Sequence, residues 1–336
     1  MLKAAINMLV NQVSLSESEM AGCMTEIMEG RATDSQTGAF LTGLRMKGET
    51  VDEITGAAKI MREKAIIIKA PEGVLDTCGT GGDMSHTFNI STTTSIVVAA
   101  CGVPVAKHGN RSVSSQSGSA DVLETLGIII DLPPEKVEEC LFETGFGFLF
   151  APLFHPAMKY AIGPRREMGI RTIFNILGPL TNPAGAKRQL LGVFADRLTE
   201  TLAMVLGNLG AVDAMVIHGR DGLDEISISD ETKVSRFRDG KAENFFIAPE
   251  DFGIERRDID SIRGGNKSEN ALITLSVLRG EGGAKRDIVL MNSAAAIMVS
   301  GKTGDFRTAF DMAAEAIDSG KALKKLEEVR RVSKSL

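Results

Sequence analysis

The residues with the clearest chemical potential lie in a glycine-rich stretch between residues 76 and 92. Gly79, Gly81 and Gly82 stand just before Asp83. Glycine lets a backbone adopt left-handed conformations and approach a ligand closely. Consecutive N–H groups in such a loop form a concave nest that suits phosphate oxygens. The stretch therefore predicts binding of a phosphorylated, magnesium-chelated small molecule.

Hydroxyl and amide side chains follow this loop at Asn89, Ser91 and Thr92. We expect them at a helix N-terminus, where unsatisfied N–H groups and the macrodipole attract anions. Ser91 can also offer its oxygen to a metal ion. The loop is not a P-loop, and Met84 stands where a Rossmann fingerprint needs glycine. The alternative is a tight strand-to-helix turn that binds no ligand.

A second polar stretch follows a predicted strand at residues 103–106. Its residues are Lys107, His108, Gly109, Asn110 and Arg111, with several serines after them. Ligands of open α/β sheets bind beyond the carboxyl ends of the strands. Lys107 and Arg111 would supply cationic donors there. His108, taken alone, is more often a structural histidine than a catalyst.

Two further groups carry charge in predicted loops. Arg165 and Arg166 lie on a polar turn, where arginines are usually solvated but can bind a carboxylate bidentately. Asp224 and Glu225 follow a predicted strand at residues 214–218. Adjacent carboxylates in a glycine-containing loop suit magnesium, although acidic surface loops are common.

The elements around these groups change in character near residue 70. Before it, Ser-x-x-Glu and Thr-x-x-Glu capping boxes at Ser16 and Thr50 predict helices that serve packing or oligomerisation. After it, short apolar runs alternate with helical stretches, which is typical of a sheet covered by helices on both faces. The predicted strands are 103–106, 146–150, 190–194 and 214–218, with helices at 91–101, 120–126, 135–143 and 197–209 between them.

The rest of the chain divides into three parts. Residues 232–247 predict a hairpin around Asp239-Gly240, and helices at 268–279, 287–300 and 305–332 follow it. Residues 162–186 are rich in proline and predict short helices and turns that pack back on the N-terminal helices. We therefore predict a helical domain of residues 1–70, joined by about 163–186, and an α/β catalytic domain of residues 71–336 with a mainly parallel central sheet.

The composition of the chain limits the kinds of partner that we expect it to bind. The formal charge of −6 argues against nucleic acid, whose binding needs a basic excess. The four cysteines form no CxxC pair, which favours a reducing compartment. No secretory leader or membrane-spanning run is recognisable. We expect a cytoplasmic protein with neither nucleic-acid nor membrane partner.

Several long motifs occur together in one order, namely Gly79–Asp83, Asn89–Thr92, Lys107–Arg111, Ser117–Asp121, Arg165, Arg171–Pro183 and Asp224-Glu225. With these motifs, the chain resembles the anthranilate phosphoribosyltransferase family over nearly its whole length. The resemblance implies that anthranilate and phosphoribosyl pyrophosphate (PRPP) give phosphoribosyl-anthranilate and pyrophosphate, a step of tryptophan biosynthesis. It also implies a nucleoside phosphorylase/phosphoribosyltransferase-like fold and a homodimer that associates through the helical domain.

The resemblance also implies roles for particular residues. PRPP would contact Gly79, Gly82, Asp83, Thr87, Asn89, Ser91, Thr92, Lys107, Ser115 and Ser119. Anthranilate would contact Gly79, His108, Asn110 and Arg165, with Arg165 on its carboxylate. Two magnesium ions would be held by Ser91, Asp224 and Glu225. No general base is assigned, because the aniline nitrogen is already neutral.

Two positions depart from many relatives, which have glycine in place of Met84 and a basic residue in place of Gln116. Two alternatives stay open. One is a pyrimidine nucleoside phosphorylase of similar fold, and the other is a non-catalytic relative that binds nucleic acid.

Overall fold

A computed structural model describes residues 1–83, 85–112 and 117–336 of the chain. The predicted PRPP contact Ser115 and the two departures at Met84 and Gln116 lie outside the described residues.

Four helices open the chain, namely α1 Leu2–Val10, α2 Glu17–Met28, α3 Asp34–Lys47 and α4 Val51–Glu63. The capping boxes predicted at Ser16 and Thr50 are present. Glu53, the partner of Thr50, is fully buried, pairs with Lys47 Nζ at 2.9 Å and accepts the Leu15 N–H at 2.9 Å. The start of α4 therefore also anchors the end of α3 and the segment before α2.

A seven-stranded sheet forms the centre of the α/β part. Its strands are β1 Leu75–Gly79, β2 Val105–Gly109, β3 Phe146–Phe150, β4 Arg188–Gly192, β5 Asp213–Gly219, β6 Thr232–Arg238 and β7 Lys241–Ile247. Their spatial order is β3-β2-β1-β4-β5-β6-β7. The first five pair in parallel, and β6 and β7 join as an antiparallel hairpin. The predicted fold class, with a mainly parallel sheet, is confirmed.

Helices cover both faces of this sheet. The helices that follow α4 along the chain are α5 Ile90–Ala100, α6 Ser119–Thr125, α7 Pro134–Thr144, α8 Ala151–Phe154, α9 Lys159–Met168, α10 Phe174–Leu177, α11 Leu198–Asn208, α12 Lys267–Leu278, α13 Ala284–Ser300, α14 Phe306–Asp318 and α15 Lys321–Ser335. One face packs on α5 and α13. The other packs on α11, which also contacts α4, so the N-terminal helices share a hydrophobic core with the sheet.

Two elements differ from the sequence prediction. β1 lies between β2 and β4 but was not predicted, because Asp76 and Thr77 interrupt its apolar character although both are buried. The single helix predicted over residues 305–332 is wrong. The chain instead forms α14 and α15, separated at Gly320, whose φ of 74° is incompatible with a continuous helix.

The proline-rich stretch forms α9, α10 and turns. α9 packs on α2 and α3, and α10 contacts α4. The boundaries of the helical domain stay a prediction. Within the described ranges, no helix is long and apolar enough to cross a membrane.

Candidate active site

A cavity of about 380 Å³ lies where β1 and β2 end. Because parallel strands present their carboxyl ends at one edge, the loops that follow them converge there. The cavity wall contains most of the residues predicted from the sequence, namely Gly79, Gly82, Asp83, Thr87, Asn89, Ser91, Thr92, Lys107, His108, Asn110, Ser119, Asp224 and Glu225. The structure thus gathers residues that lie up to 146 positions apart, from Gly79 to Glu225.

The glycine loop needs its glycines for two reasons. Gly81 and Gly82 have φ values of 65° and 79°, in the left-handed region. At Gly79, a Cβ atom would lie 2.5 Å from Asp224 Oδ2. The Gly81 N–H donates to that same carboxylate oxygen at 2.9 Å. Close contact with Asp224 therefore shapes the loop.

The N-terminus of α5 faces the carboxylate pair of Asp224 and Glu225. Asn89 precedes the helix, and its side chain donates to the Ser117 carbonyl at 3.2 Å. The Ser91 N–H donates to Glu225 Oε1 at 3.0 Å. Here and at Gly81, N–H groups of the kind expected to bind phosphate contact carboxylates instead.

Burial and mutual repulsion perturb these carboxylates. Burial, and then the charge of Asp83, raises the pKa of Asp224 to about 7. Burial, and then the charge of Asp224, raises the pKa of Glu225 well above its usual range. Such clusters of raised carboxyl pKa values are typical of functional sites.

The donor set fits a magnesium ion. Asp83 Oδ2 is buried and has no hydrogen-bond partner within the described part of the chain. With Asp224, Glu225 and the Ser91 hydroxyl, it offers hard oxygen donors at one place. In the residues described, no group of three His, Cys, Asp or Glu side chains is arranged to hold a metal by itself. A cation here would need oxygens from a ligand as well.

Lys107 lies at the base of the cavity. Its side chain is almost wholly buried, and its Nζ donates to the Thr77 carbonyl at 2.5 Å and to Ser91 Oγ at 3.3 Å. Burial lowers the pKa of its ammonium group. Lys107 therefore places a cation directly behind the expected metal and phosphate donors.

His108 is held by protein groups through both ring nitrogens. Nδ1 lies 3.2 Å from the Gly178 carbonyl, so it must donate, and Nε2 then accepts from His155 Nε2 at 3.1 Å. Burial lowers the pKa of His108 to about 3 and that of His155 to about 4. His108 thus offers the cavity a neutral ring whose two nitrogens already have protein partners, and its predicted contact with anthranilate stays a prediction.

Arg165 lies outside the cavity wall, which instead contains Arg171, Asn175 and Phe194. The Arg165 guanidinium stacks on Phe174 at 5.0 Å from the ring centroid, and burial lowers its pKa. Arg171 and Asn175 belong to the long motif noted in the sequence, although no contact was predicted for them. Phe194 had no sequence signal.

Comparison with known proteins assigns the chain to a class. One family model, the helical bundle domain of a glycosyl transferase family, matches residues 3–65. The model for the a/b domain of that family matches residues 71–323. The chain belongs to this glycosyl transferase family.

Relatives that match over nearly the whole chain define its place within this family. The chain is 56% identical to the anthranilate phosphoribosyltransferase of Acetivibrio thermocellus, with 98% of this chain and 95% of that protein covered. It is 53% identical to the enzyme of Alkaliphilus metalliredigens, with 100% and 99% covered. Within its family, the chain belongs with the anthranilate phosphoribosyltransferases.

Solved structures agree with this placement. The Thermus thermophilus anthranilate phosphoribosyltransferase superposes with a TM-score of 0.93 at 39% identity, with 98% of this chain and 99% of that chain covered. The Saccharomyces cerevisiae enzyme in complex with PRPP and Mg gives a TM-score of 0.90 at 28% identity, with 100% and 98% covered.

Proposed function

We propose that the chain transfers the phosphoribosyl group of PRPP to the amine of anthranilate, giving N-(5-phosphoribosyl)anthranilate and pyrophosphate in tryptophan biosynthesis. The main support for this proposal is that the glycine loop, the N-terminus of α5 and the Asp224-Glu225 pair line one cavity. A magnesium-chelated diphosphate donor requires this combination of N–H donors and carboxylates. Relatives from yeast were solved with PRPP and Mg and with 4-fluoroanthranilate.

Each substrate has an expected set of contacts. The donor would lie against the glycine loop, Thr87, residues 89–92 at the start of α5, Lys107 and Ser119, all of which line the cavity. Anthranilate would lie beside Gly79, His108 and Asn110. Arg165 would bind its carboxylate, which requires the guanidinium to leave its stacked position on Phe174 or the ligand to extend beyond the cavity wall.

Ser91, Asp224 and Glu225 are the expected magnesium ligands, and we propose two ions. When bound, magnesium neutralises the charge of pyrophosphate and makes it a better leaving group. The carboxylates that now contact the Gly81 and Ser91 N–H groups would turn to the cation, which would free those donors for phosphate oxygens.

The chain itself mainly positions the reactants. The aniline nitrogen is neutral at physiological pH, so no general base is needed before attack. The amine must lie near the anomeric carbon, opposite the pyrophosphate. Positive charge on the ribose indicates an oxocarbenium-like transition state.

One assay tests this function. Purified protein with PRPP and saturating magnesium should remove the fluorescence of anthranilate, and omission of magnesium should abolish the loss. Failure to consume anthranilate under these conditions would refute the proposal. Phosphorolysis of thymidine or uridine without magnesium would favour the phosphorylase, and salt-sensitive DNA binding without turnover would favour the nucleic-acid-binding relative.

The carboxylate role has a separate test. The double variant Asp224→Asn, Glu225→Gln keeps the side-chain shapes but removes both charges. We expect it to lose the magnesium dependence of turnover together with most of the activity. A wild-type magnesium response in this variant would refute the assignment.

We also propose a homodimer that associates through the helical domain. Its support is a set of exposed apolar side chains on or beside α1 and α3, namely Met1, Val10, Val13 and Met46, which are 65%, 69%, 47% and 76% exposed. A cytoplasmic location is our further proposal, supported by four cysteines that are all free thiols.

A further inference from the structure

We propose that Arg171 is a positioning residue that holds the glycine loop, residues 79–83, in its donor-binding conformation. The inference rests on the proposed function for the identity of the donor. Arg171 lies in the segment between α9 and α10, and its side chain reaches across the cavity wall to that loop.

The contacts of Arg171 link the loop to the end of β4. Its Nη2 donates to the carbonyl of Gly82. Its guanidinium lies over the Phe194 ring, 4.6 Å from the centroid. The Phe194 N–H in turn donates to Thr80 Oγ1 at 3.1 Å. Arg171, Phe194 and Thr80 therefore brace the loop at both of its ends.

The Gly82 contact fixes the orientation of a peptide group. In a planar trans peptide the C=O and the following N–H point in opposite directions. Because Arg171 holds the Gly82 carbonyl, the Asp83 N–H points away from Arg171. The Gly81 N–H is fixed separately by Asp224. Without the Arg171 contact, a glycine peptide at φ 79° is free to flip, and the nest of N–H donors would be lost.

Charge supports the same role. Of the cationic side chains in the cavity wall, Arg111 is paired with Asp121 and Glu124 at 2.8 Å each, and Lys107 is buried at the base. Across the described ranges, Arg171 forms no ion pair with a carboxylate. A guanidinium carries five N–H donors, so donors remain after the Gly82 contact for an anionic ligand.

Hydrogen exchange of the ligand-free protein tests the loop contact. Arg171→Met keeps an apolar stem but removes every donor, and we expect amides of residues 79–83 to exchange at least about fivefold faster. Arg171→Lys should restore part of the protection, because an ammonium group can still donate to the Gly82 carbonyl. Arg166→Met, at an exposed arginine of α9, is the matched control and should leave the loop unchanged.

Calorimetric titration with magnesium and PRPP tests the consequence. R171M should bind the donor about tenfold more weakly, the effect of a lost charge-assisted hydrogen bond. Its KM for anthranilate should stay within about twofold of the wild-type value, since the two substrates contact different groups. A general loss of folding would instead raise both the dissociation constant of the donor and the KM for anthranilate, and it would lower the melting temperature.

The outcomes separate the two proposals. A wild-type protein that consumes no anthranilate would refute the proposed function. Normal wild-type turnover, with unchanged loop exchange and donor affinity in R171M, would overturn the role of Arg171 alone. If R171M does not fold, Phe194→Leu removes the ring that supports the guanidinium. Wild-type exchange and affinity in that variant would overturn the proposal equally.

Discussion

At the scale of single residues, space beside Asp224 limits what the site tolerates. A Cβ atom on Gly192, the last residue of β4, would lie 1.6 Å from the Asp224 carbonyl oxygen. The loop that carries both acidic residues must then move. We expect Gly192→Ala to raise the magnesium concentration for half-maximal activity at least about tenfold and to destabilise the fold by about 1–3 kcal/mol.

Magnesium titration of turnover, with denaturant unfolding alongside, checks the Gly192 prediction. Gly282→Ala is the control, because a Cβ atom there meets no atom within 4 Å. A Gly192→Ala variant with a wild-type magnesium curve would show that the backbone approach is unimportant to the carboxylates.

Arg165 raises a different question at this scale, because it is the one predicted contact within the described residues that the cavity wall lacks. Its guanidinium forms no ion pair in the described part of the chain and stacks on Phe174. We expect Arg165→Ala to raise the KM for anthranilate about tenfold and that for PRPP much less. Arg166→Ala is the control, and equal effects on both constants would mean that Arg165 is misassigned.

The contiguous motifs singled out in the sequence lie in the cavity wall. Gly79–Asp83 and Lys107–Arg111 each combine several chemically distinctive residues, so both could be found from the sequence. His155 and Phe194 could not, because they meet the site only through packing of distant elements. The role of Arg171 could not be found either, because its partner, the Gly82 carbonyl, lies 89 positions away in sequence.

At the scale of elements, the contact between the end of β2 and the segment after α8 depends on two neutral histidines. His108 and His155 have pKa values of about 3 and about 4, below the ordinary 6.5 of the unfolded chain. At pH values between the native pKa of each histidine and 6.5, the unfolded state therefore binds more protons than the native state. The stabilisation is complete above about pH 6.5 and is lost as pH falls towards 4.

Each histidine therefore contributes roughly 2 kcal/mol less to the free energy of unfolding at pH 5 than at pH 7. Asp76, Asp224 and Glu225, whose pKa values burial raises, oppose this contribution, since their protonated forms stabilise the native state as pH falls. The histidine contribution is therefore read from the difference between the wild type and a histidine variant. His155→Gln removes one titrating group, so the variant should be less stable at pH 7 but less sensitive to acid. Urea unfolding of the wild type and the variant at pH 7 and pH 5 checks this, and the same change in the free energy of unfolding in both proteins would contradict the prediction.

Secondary-structure prediction succeeded for elements with a local signal. The hairpin of β6 and β7 was placed correctly, because Asp239 and Gly240 both adopt the positive φ that their turn requires. β1 was missed because its sequence has no apolar pattern typical of a buried strand. Its polar residues are buried only because neighbouring strands cover them. The break at Gly320 was missed although the sequence signals it, because the buried residues of α14 and α15 would lie on opposite faces of one continuous helix.

At the scale of the whole molecule, helices α1–α4 and the cavity are physically separate. The described wall of the cavity contains residues between Cys78 and Glu225 and none from α1–α4. The exposed apolar side chains that support a dimer lie on or beside α1 and α3 instead. Association and catalysis should therefore respond to different substitutions.

The double variant Val10→Glu, Met46→Glu places two carboxylates on that exposed apolar surface, where pairing with a second copy would desolvate them. We expect light scattering after gel filtration to give twice the mass of one chain for the wild type and the mass of one chain for the variant. Because the cavity wall is untouched, kcat should stay within about threefold of the wild-type value. Leu272→Glu, at a 66% exposed position on α12, is the matched control and should remain dimeric. A double variant that keeps the wild-type mass would place the interface elsewhere, and a monomeric variant without activity would show that the dimer supports the site from a distance.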